Sequence, residues 1–280
     1  MNGPGYRLVL TGASGGLGRA FALALAPHAS AMVLVGRDRA RLESLQEHIA
    51  ESAPGTVVRT VTGDLTEASV RLQVFDAARA LPAQLNLLIN AAGINEFHAF
   101  ESQASASIER LLAVNLLVPI QLTQLLLPLL RISPRAQVIN VGSIFGYLGY
   151  PGFAVYCATK FGLRGFSQAL RRELSDSHIA VRYFAPRATR TALTTPAIAA
   201  MNRELNTAED TPERVAEKLL QFISRGGGER KLGFPERLYV LFNHLMPGIN
   251  DRAIRGQLAV IRRHFNGAGA PSALTPKEDT

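Results

Sequence analysis

One cysteine, Cys157, stands in 280 residues. No intramolecular disulfide can form, so a reducing compartment such as the cytoplasm is expected. No uninterrupted apolar run of about eighteen residues occurs, so no segment is expected to span a bilayer. The longest apolar stretch, Leu111 to Leu130, is broken by Asn115, Gln121, Gln124, Pro119 and Pro128. The first residues, M-N-G-P-G-Y-R-L-V-L, reach a strand-like run at once, which leaves no room for a secretory leader. The six histidines show no ligand spacing, so no metal is expected. Aromatic residues make up only 7% of the chain, and the arginines form no basic and aromatic stripe. Nucleic acid is therefore not an expected partner. No solenoid-type repeat is present.

What is there fits a globular α/β protein: 47% of residues are apolar and 19% charged. The net charge of +8 suits an anionic ligand, acidic lipids or an acidic partner. Short apolar runs at Arg7 to Leu10, Ala31 to Val35, Thr56 to Val61, Leu85 to Ile89, Gln137 to Val141 and Ile179 to Phe184 read as strands. Between and after them, Gly16 to Ala26, Arg39 to Glu51, Glu67 to Ala80, Ser107 to Leu130, Phe153 to Asp176 and Pro212 to Ser224 read as helices. Pro119 and Pro128 are possible kinks in the long one. Strands alternating with helices imply a doubly wound, Rossmann-type parallel sheet of about seven strands with helices on both faces. Lys231 to Phe234 is the candidate seventh strand, beyond the flexible joint Gly226 to Gly228.

The segment T-G-A-S-G-G-L-G, Thr11 to Gly18, follows a strand and opens a helix, the setting a dinucleotide-binding turn requires. Gly12 permits the tight turn, Gly16 lets backbone approach a pyrophosphate, and Gly18 lets the helix pack closely on the sheet. The helix N-terminus offers free N–H groups and its positive dipole end to phosphates. At the end of the second strand, where NAD-binding proteins usually carry a ribose-binding carboxylate, stands Gly36, followed by Arg37. A guanidinium suits a 2′-phosphate, and Arg39 can assist. Asp38 is either a helix N-cap or a displaced ribose ligand. The expected cofactor is NADP(H).

Tyr156 and Lys160 lie four residues apart in Y-C-A-T-K and so share a helix face. An ammonium beside a phenol favours the phenolate, so the tyrosine pKa is expected below its usual value of about 10. That makes Tyr156 a candidate proton donor and acceptor. Cys157, the next residue, points elsewhere round the helix and reads as packing.

The spacing G-x-x-x-G-x-G with Y-x-x-x-K downstream resembles the short-chain dehydrogenase/reductase family. Further segments agree: Asp64 in G-D-L, the turn Asn90-Ala91-Ala92-Gly93, Asn115 in V-N-L and Ser143 in V-G-S. The resemblance covers roughly residues 6 to 225. It implies hydride transfer between NADPH and a carbonyl or secondary alcohol, with Asn115, Ser143, Tyr156 and Lys160 as the catalytic set. In that set Ser143 holds the substrate oxygen, Lys160 also bonds the nicotinamide ribose, and Asn115 fixes a water that links Lys160 to solvent. It implies cofactor contacts from Gly12, Ser14, Gly15, Gly16, Leu17, Gly18, Arg37, Asp64, Leu65, Asn90, Ala91, Gly93, Tyr156, Lys160, Thr189 and Thr191, with Asp64 at the adenine. Homodimers or homotetramers through the two long helices are implied as well.

The chain departs from the family after the sixth strand, where a P-G-containing loop becomes P-R-A-T-R-T, Pro186 to Thr191. Arg187 replaces the glycine. It is strained if that position needs a positive φ; otherwise Arg187 or Arg190 points at an anionic substrate or the cofactor diphosphate. This loop is the best support for a rival reading, a dinucleotide-binding scaffold or sensor with little turnover. On the family pattern, residues 1–232 form the catalytic domain with a substrate lid at about 187–211. The lid's Leu193, Ile198, Met201 and Leu205 suggest an apolar or acyl-chain-like substrate. Residues 233–266 form a helical extension, and 267–280 read as a disordered tail. In the extension Leu238, Leu241, Phe242 and Leu245 make an apolar stripe, and Arg252, Arg255, Arg262 and Arg263 make the next helix basic. This pair can lie on an anionic membrane, cover the substrate mouth, form a dimer interface or pack on the core.

Overall fold

The computed structural model describes residues 5–265, apart from the side chains of Pro235, His244 and Pro247. The segment 267–280, expected to be disordered, lies outside the described residues. The first half alternates β1 (Tyr6–Thr11), α1 (Gly16–Leu25), β2 (Ala29–Gly36), α2 (Arg39–Ser52), β3 (Val57–Thr62), α3 (Ala68–Arg79) and β4 (Leu87–Asn90). The second half runs α4 (Ser105–Leu112), α5 (Val118–Ile132), β5 (Ala136–Val141), α6 (Ala154–Glu173), β6 (Ile179–Ala185), α7 (Pro196–Glu204), α8 (Pro212–Arg225), β7 (Glu229–Lys231), α9 (Phe234–Leu245) and α10 (Pro247–Arg263).

The seven strands form one sheet in the order β3-β2-β1-β4-β5-β6-β7, and every pairing is parallel. Parallel strands covered on both faces need continuous apolar runs. β4 supplies one, with Leu87, Leu88 and Ile89 fully buried. One face packs on α1, α2 and α8 through Phe21, Leu42, Leu45, Leu219 and Phe222. The other packs on α3 and α5 through Val74, Leu122, Leu126 and Leu130. By length and composition the helical run Ser105–Ile132 is apolar enough to cross a membrane. Here it lies against the sheet, its buried residues forming part of that second core.

Two expectations change, and one open alternative is resolved. The long helix is not continuous: between α4 and α5, Ala113–Leu117 winds as a π turn, closed by Val118 N–H on the Ala113 carbonyl. Pro119 has no N–H for the Asn115 carbonyl four residues back, which favours the wider register there. The seventh strand is Glu229–Lys231 rather than Lys231 to Phe234. Gly233, at φ +88, ends the extended chain, and Phe234 opens α9. Asp38 resolves as the N-cap of α2, accepting from the Arg41 N–H at 3.1 Å.

Candidate active site

The carboxyl ends of β1, β4, β5 and β6 meet along one edge, and the loops that leave them build the site. Gly12 turns at φ +73, and a Cβ there would sit 2.9 Å from Ala92 backbone. The turn is locked to the β4 loop by Thr11, whose Oγ1 accepts from Ala91 and Ala92 N–H at 3.0 Å each. Gly18 lies so close beneath the turn that a Cβ would come within 2.0 Å of the Gly12 carbonyl. Helix α1 has no side-chain cap, and its first internally bonded N–H is that of Arg19, on the Gly15 carbonyl at 2.8 Å. The N–H groups of Gly16, Leu17 and Gly18 are therefore free for an anion. Ser14 sits behind this turn, against Gly36, where a Cβ would meet the serine Oγ at 2.5 Å. Thr191 reaches the same turn from the β6 loop, within 3.2 Å of where a Gly16 Cβ would be. These residues fit a dinucleotide diphosphate.

Arg37 is exposed beside Gly36 and has no hydrogen-bond or ionic partner among the described residues. Asp64 is already engaged. Its carboxylate takes the Thr66 N–H at 2.9 Å and the Thr66 hydroxyl at 2.8 Å, and pairs with Arg110 of α4. Burial pushes this carboxyl up, but the Thr66 and Arg110 bonds outweigh it and hold the pKa at about 2. Leu65 beside it is buried. Asn90 does not reach toward the turn: its Nδ2 donates to Asn140 Oδ1 at 2.8 Å and Thr123 Oγ1 at 3.1 Å inside the sheet. Asn140 continues to Ser167 at 2.8 Å. The asparagine thus braces α6 through β5 rather than lining the site.

The catalytic set converges. Ser143 follows β5, and its hydroxyl lies close enough to the Tyr156 phenol to lower its pKa and accepts from Phe145 N–H at 3.1 Å. Lys160, on the same face of α6, is buried and donates to the Val141 carbonyl at 3.3 Å, its Nζ lying 5.5 Å from the Tyr156 ring centre. Asn115 Oδ1 accepts from Ile94 N–H at 2.8 Å, and Nδ2 donates to the Ile94 carbonyl at 2.9 Å and Thr159 Oγ1 at 3.3 Å. It therefore ties the π turn, the β4 loop and α6 together. A Cβ on Gly93 would lie 3.3 Å from Asn115 Oδ1 and 3.6 Å from Lys160 Nζ, so this glycine keeps the amine's approach open.

The expected lowering of the Tyr156 pKa is reversed. Burial raises it to about 12, the nearby Ser143 hydroxyl lowers it, and the neighbouring Cys157 adds a smaller rise. Lys160 is itself lowered to about 8 by burial. Desolvation of the phenol outweighs the neighbouring Ser143 hydroxyl that favours the phenolate.

One residue, and the partners of another, escaped sequence reasoning. Tyr183 on β6 is fully buried, donates to the Lys160 carbonyl at 3.1 Å and accepts from the Ser143 N–H at 3.3 Å. Its ring fills space that Gly142 and Gly146 leave: a Cβ on either would come within about 2 Å of it, at 1.9 and 2.1 Å. Only the pair of glycines hinted at a large neighbour. Arg187 is the second. Its φ is not positive, so the missing glycine causes no strain. The guanidinium grips Asp210 with two bonds of 2.9 Å and reaches Glu236 of α9 at 3.4 Å. It therefore points at neither an anionic substrate nor a diphosphate. It ties the two ends of the 187–211 segment to each other and to α9. Thr189 is buried there, its Oγ1 on the Arg187 carbonyl, and Arg190 is exposed.

Around Tyr156 stands an apolar wall of Phe97, Phe145, Tyr150, Phe153, Ile198 and Met201, closed by Ile261 and Phe265 from the C-terminal segment. Phe145 and Phe153 meet the Tyr156 ring edge-on at 6.4 Å. Tyr150 bonds Gln257 of α10 at 2.8 Å.

Hydride exchange with a carbonyl carbon requires a proton donor beside the acceptor oxygen, and the sheet edge that would receive a dinucleotide holds one. The class is that of Rossmann-type oxidoreductases. A family model described as short chain dehydrogenase matches residues 7–202, and the chain belongs to that family. Nodulation protein G of Rhizobium sp. (strain N33) is 34% identical over 68% of this chain and 76% of its own length. Ketoacyl reductase HetN of Nostoc sp. is 31% identical over 65% of this chain and 63% of its own. A solved short-chain dehydrogenase from Sphingobium yanoikuyae in complex with NADPH superposes with TM-score 0.72 at 27% identity, covering 95% of this chain and 99% of that one.

Proposed function

We propose that the protein is an NADPH-dependent reductase of a carbonyl group, able to oxidise the secondary alcohol in reverse, with an apolar or acyl-chain-like substrate. The observation that carries this reading is the convergence of Ser143, Tyr156 and buried Lys160, its Nζ 5.5 Å from the Tyr156 ring centre, within an aromatic wall. When bound, the nicotinamide supplies or accepts the hydride. Burial keeps the proton on the Tyr156 oxygen at neutral pH, and the Ser143 hydroxyl offers a donor where negative charge builds. Lys160 remains largely protonated below its pKa of about 8, so its charge supports the phenolate as the proton leaves. Asn115 holds α6 and the β4 loop at fixed spacing, which keeps these groups in register.

Gly36 brings no carboxylate to the ribose position, and the unpaired Arg37 beside it suits a 2′-phosphate. The Sphingobium relative was solved in complex with NADPH. The substrate class rests on the wall around Tyr156 and on the ketoacyl reductase among the relatives. A homo-oligomer through the long helices is supported by exposed Leu112 and Leu117 beside α5 and by Phe161 on α6. A reducing compartment is supported by the one free, buried cysteine. The scaffold reading loses its main support, because Arg187 is an internal anchor and the altered loop still delivers Thr191 to the glycine turn.

The test is NADPH oxidation against ketones and 3-ketoacyl thioesters of increasing chain length. Turnover should rise with chain length, and Tyr156→Phe should abolish it while calorimetry shows NADPH binding nearly intact. Substantial activity in Tyr156→Phe would remove the phenol from this role. Equal binding of NADPH by Arg37→Ala would remove the cofactor preference.

A further inference from the structure

Helix α9 is amphipathic in the inverted sense. Two of its polar residues face the protein: Glu236 bonds Arg187, and Asn243 Nδ2 donates to the Tyr147 carbonyl at 3.3 Å. Val240, between them, is only 2% exposed. Phe234, Leu238, Leu241, Phe242 and Leu245 recur at helical spacing on the opposite side. There Phe234 is 74% exposed, Leu241 51% and Leu245 68%. Met246 and Ile249 prolong the stripe toward α10, both also exposed. A contiguous apolar ridge of this kind marks a contact surface.

The ridge begins at a cationic cleft. A cavity of about 440 Å³ at the β7 edge of the sheet is lined by Lys218, Arg230, Lys231 and Arg237, with Phe234 at its rim. Glu229 also borders it, but its carboxylate is committed to Tyr147 at 2.7 Å, Gln168 and Arg164. Arg230 is held below its usual pKa by burial and then by the like charges of Arg225 and Arg237, so the cleft carries positive charge that no acid fully offsets.

We propose that this face is a docking surface for an anionic lipid bilayer, with the α9 ridge at the boundary of headgroups and acyl chains and the cleft taking lipid phosphates. A ridge is convex and fits a fluid interface without a matching groove, and the cations beside it suit acidic headgroups. A second copy of the chain would bring the same cationic cleft and the same net charge of +8, so self-association through this face pairs like charges. The placement brings the bilayer beside the segment whose α10 closes the apolar wall over Tyr156. The docking does not depend on turnover, so its failure would leave the reductase reading standing.

The experiment is co-sedimentation of the full chain with vesicles of phosphatidylcholine alone and with about one third phosphatidylglycerol. Binding should be at least about tenfold tighter to the anionic vesicles and should weaken with added salt. Arg230→Ala and Arg237→Ala should each weaken it about fivefold. Leu241→Glu/Leu245→Glu, changed at exposed positions, should abolish it while reduction of a water-soluble ketone stays at the wild-type rate. No binding to anionic vesicles, or equal binding to neutral ones, overturns the proposal. So does a dimer in sedimentation equilibrium that the double glutamate variant splits, since the ridge would then be an interface between copies.

Discussion

Removing one oxygen atom, by Tyr183→Phe, tests how the catalytic serine and the helix bearing Tyr156 are kept in register. The phenylalanine ring would still fill the space left by Gly142 and keep its edge-on contact with Tyr147 at 5.9 Å, while the hydroxyl beside Gly146 is lost. What disappears is the donor to the Lys160 carbonyl and the acceptor for the Ser143 N–H. The carbonyl retains its partner within α6, so the loss falls on one buried N–H, which costs about 1–3 kcal/mol when left unpaired. In a chain of this size that lowers Tm by about 2–10 °C. The Ser143 backbone is then free to drift, and the serine shifts relative to the phenol. A tenfold fall in kcat corresponds to about 1.4 kcal/mol of lost positioning. The assays are a thermal melt and steady-state kinetics with NADPH titrated. A fall in kcat with the cofactor KM unchanged supports a positioning role. An unchanged Tm and kcat, or a loss that appears entirely in the cofactor KM, refutes it.

Arg187→Ala should destabilise the fold by about 3 kcal/mol, because buried Asp210 is left with only the longer Arg214 contact at 3.7 Å; denaturant melts measure this, and the substrate KM should rise as the 187–211 segment loosens. Lys160→Met should alter the pH dependence of stability. The folded amine titrates near 8 against an ordinary 10.5, so the native state binds fewer protons between those values and stability should rise with pH through that window. The methionine variant should lack the rise in melts taken on either side of it. Gly36→Asp alone should fail to confer NADH use, since its Cβ would sit 2.5 Å from Ser14 Oγ; Gly36→Asp with Ser14→Gly should bind NADH more tightly by calorimetry.

The parts of the site that were legible in the sequence are those written at short spacing. Four residues on a helix bring Tyr156 and Lys160 to one face, and Gly12, Gly16 and Gly18 are separated by a single turn. Local geometry decides both, so no distant partner has to be known. Tyr183 bonds the backbone of Ser143, 40 positions away, and Arg187 grips Asp210 and Glu236, 23 and 49 positions away. Nothing near either residue announces those partners. The Tyr156 pKa failed for another reason. Spacing shows that an ammonium is near, but the sign of the shift depends on how much water both groups have lost. For the phenol, that loss is set in part by Phe145 and Phe153, whose rings meet it from separate segments.

Helix α9 shows why periodicity finds a face but not its direction. Leu238, Leu241, Phe242 and Leu245 lie on one side of a helix whatever surrounds it, and burial against the core is the ordinary outcome for such a stripe. The direction is decided at the other side. Glu236 is held by Arg187, the residue that replaced the usual loop glycine, and Asn243 is held by the Tyr147 carbonyl. Turning the helix to bury its leucines would break both bonds, strand Glu236 away from its cation and expose Val240. The Arg187 to Glu236 contact, 49 residues apart, thus joins the Asn243 bond and buried Val240 in fixing the roll of the helix, and with it the apolar surface the protein presents. Arg187→Gly carries the consequence: it restores the familiar loop residue, yet it should release α9 and cut binding to anionic vesicles. If that variant binds them as tightly as the parent, the roll of α9 is held by something other than Arg187.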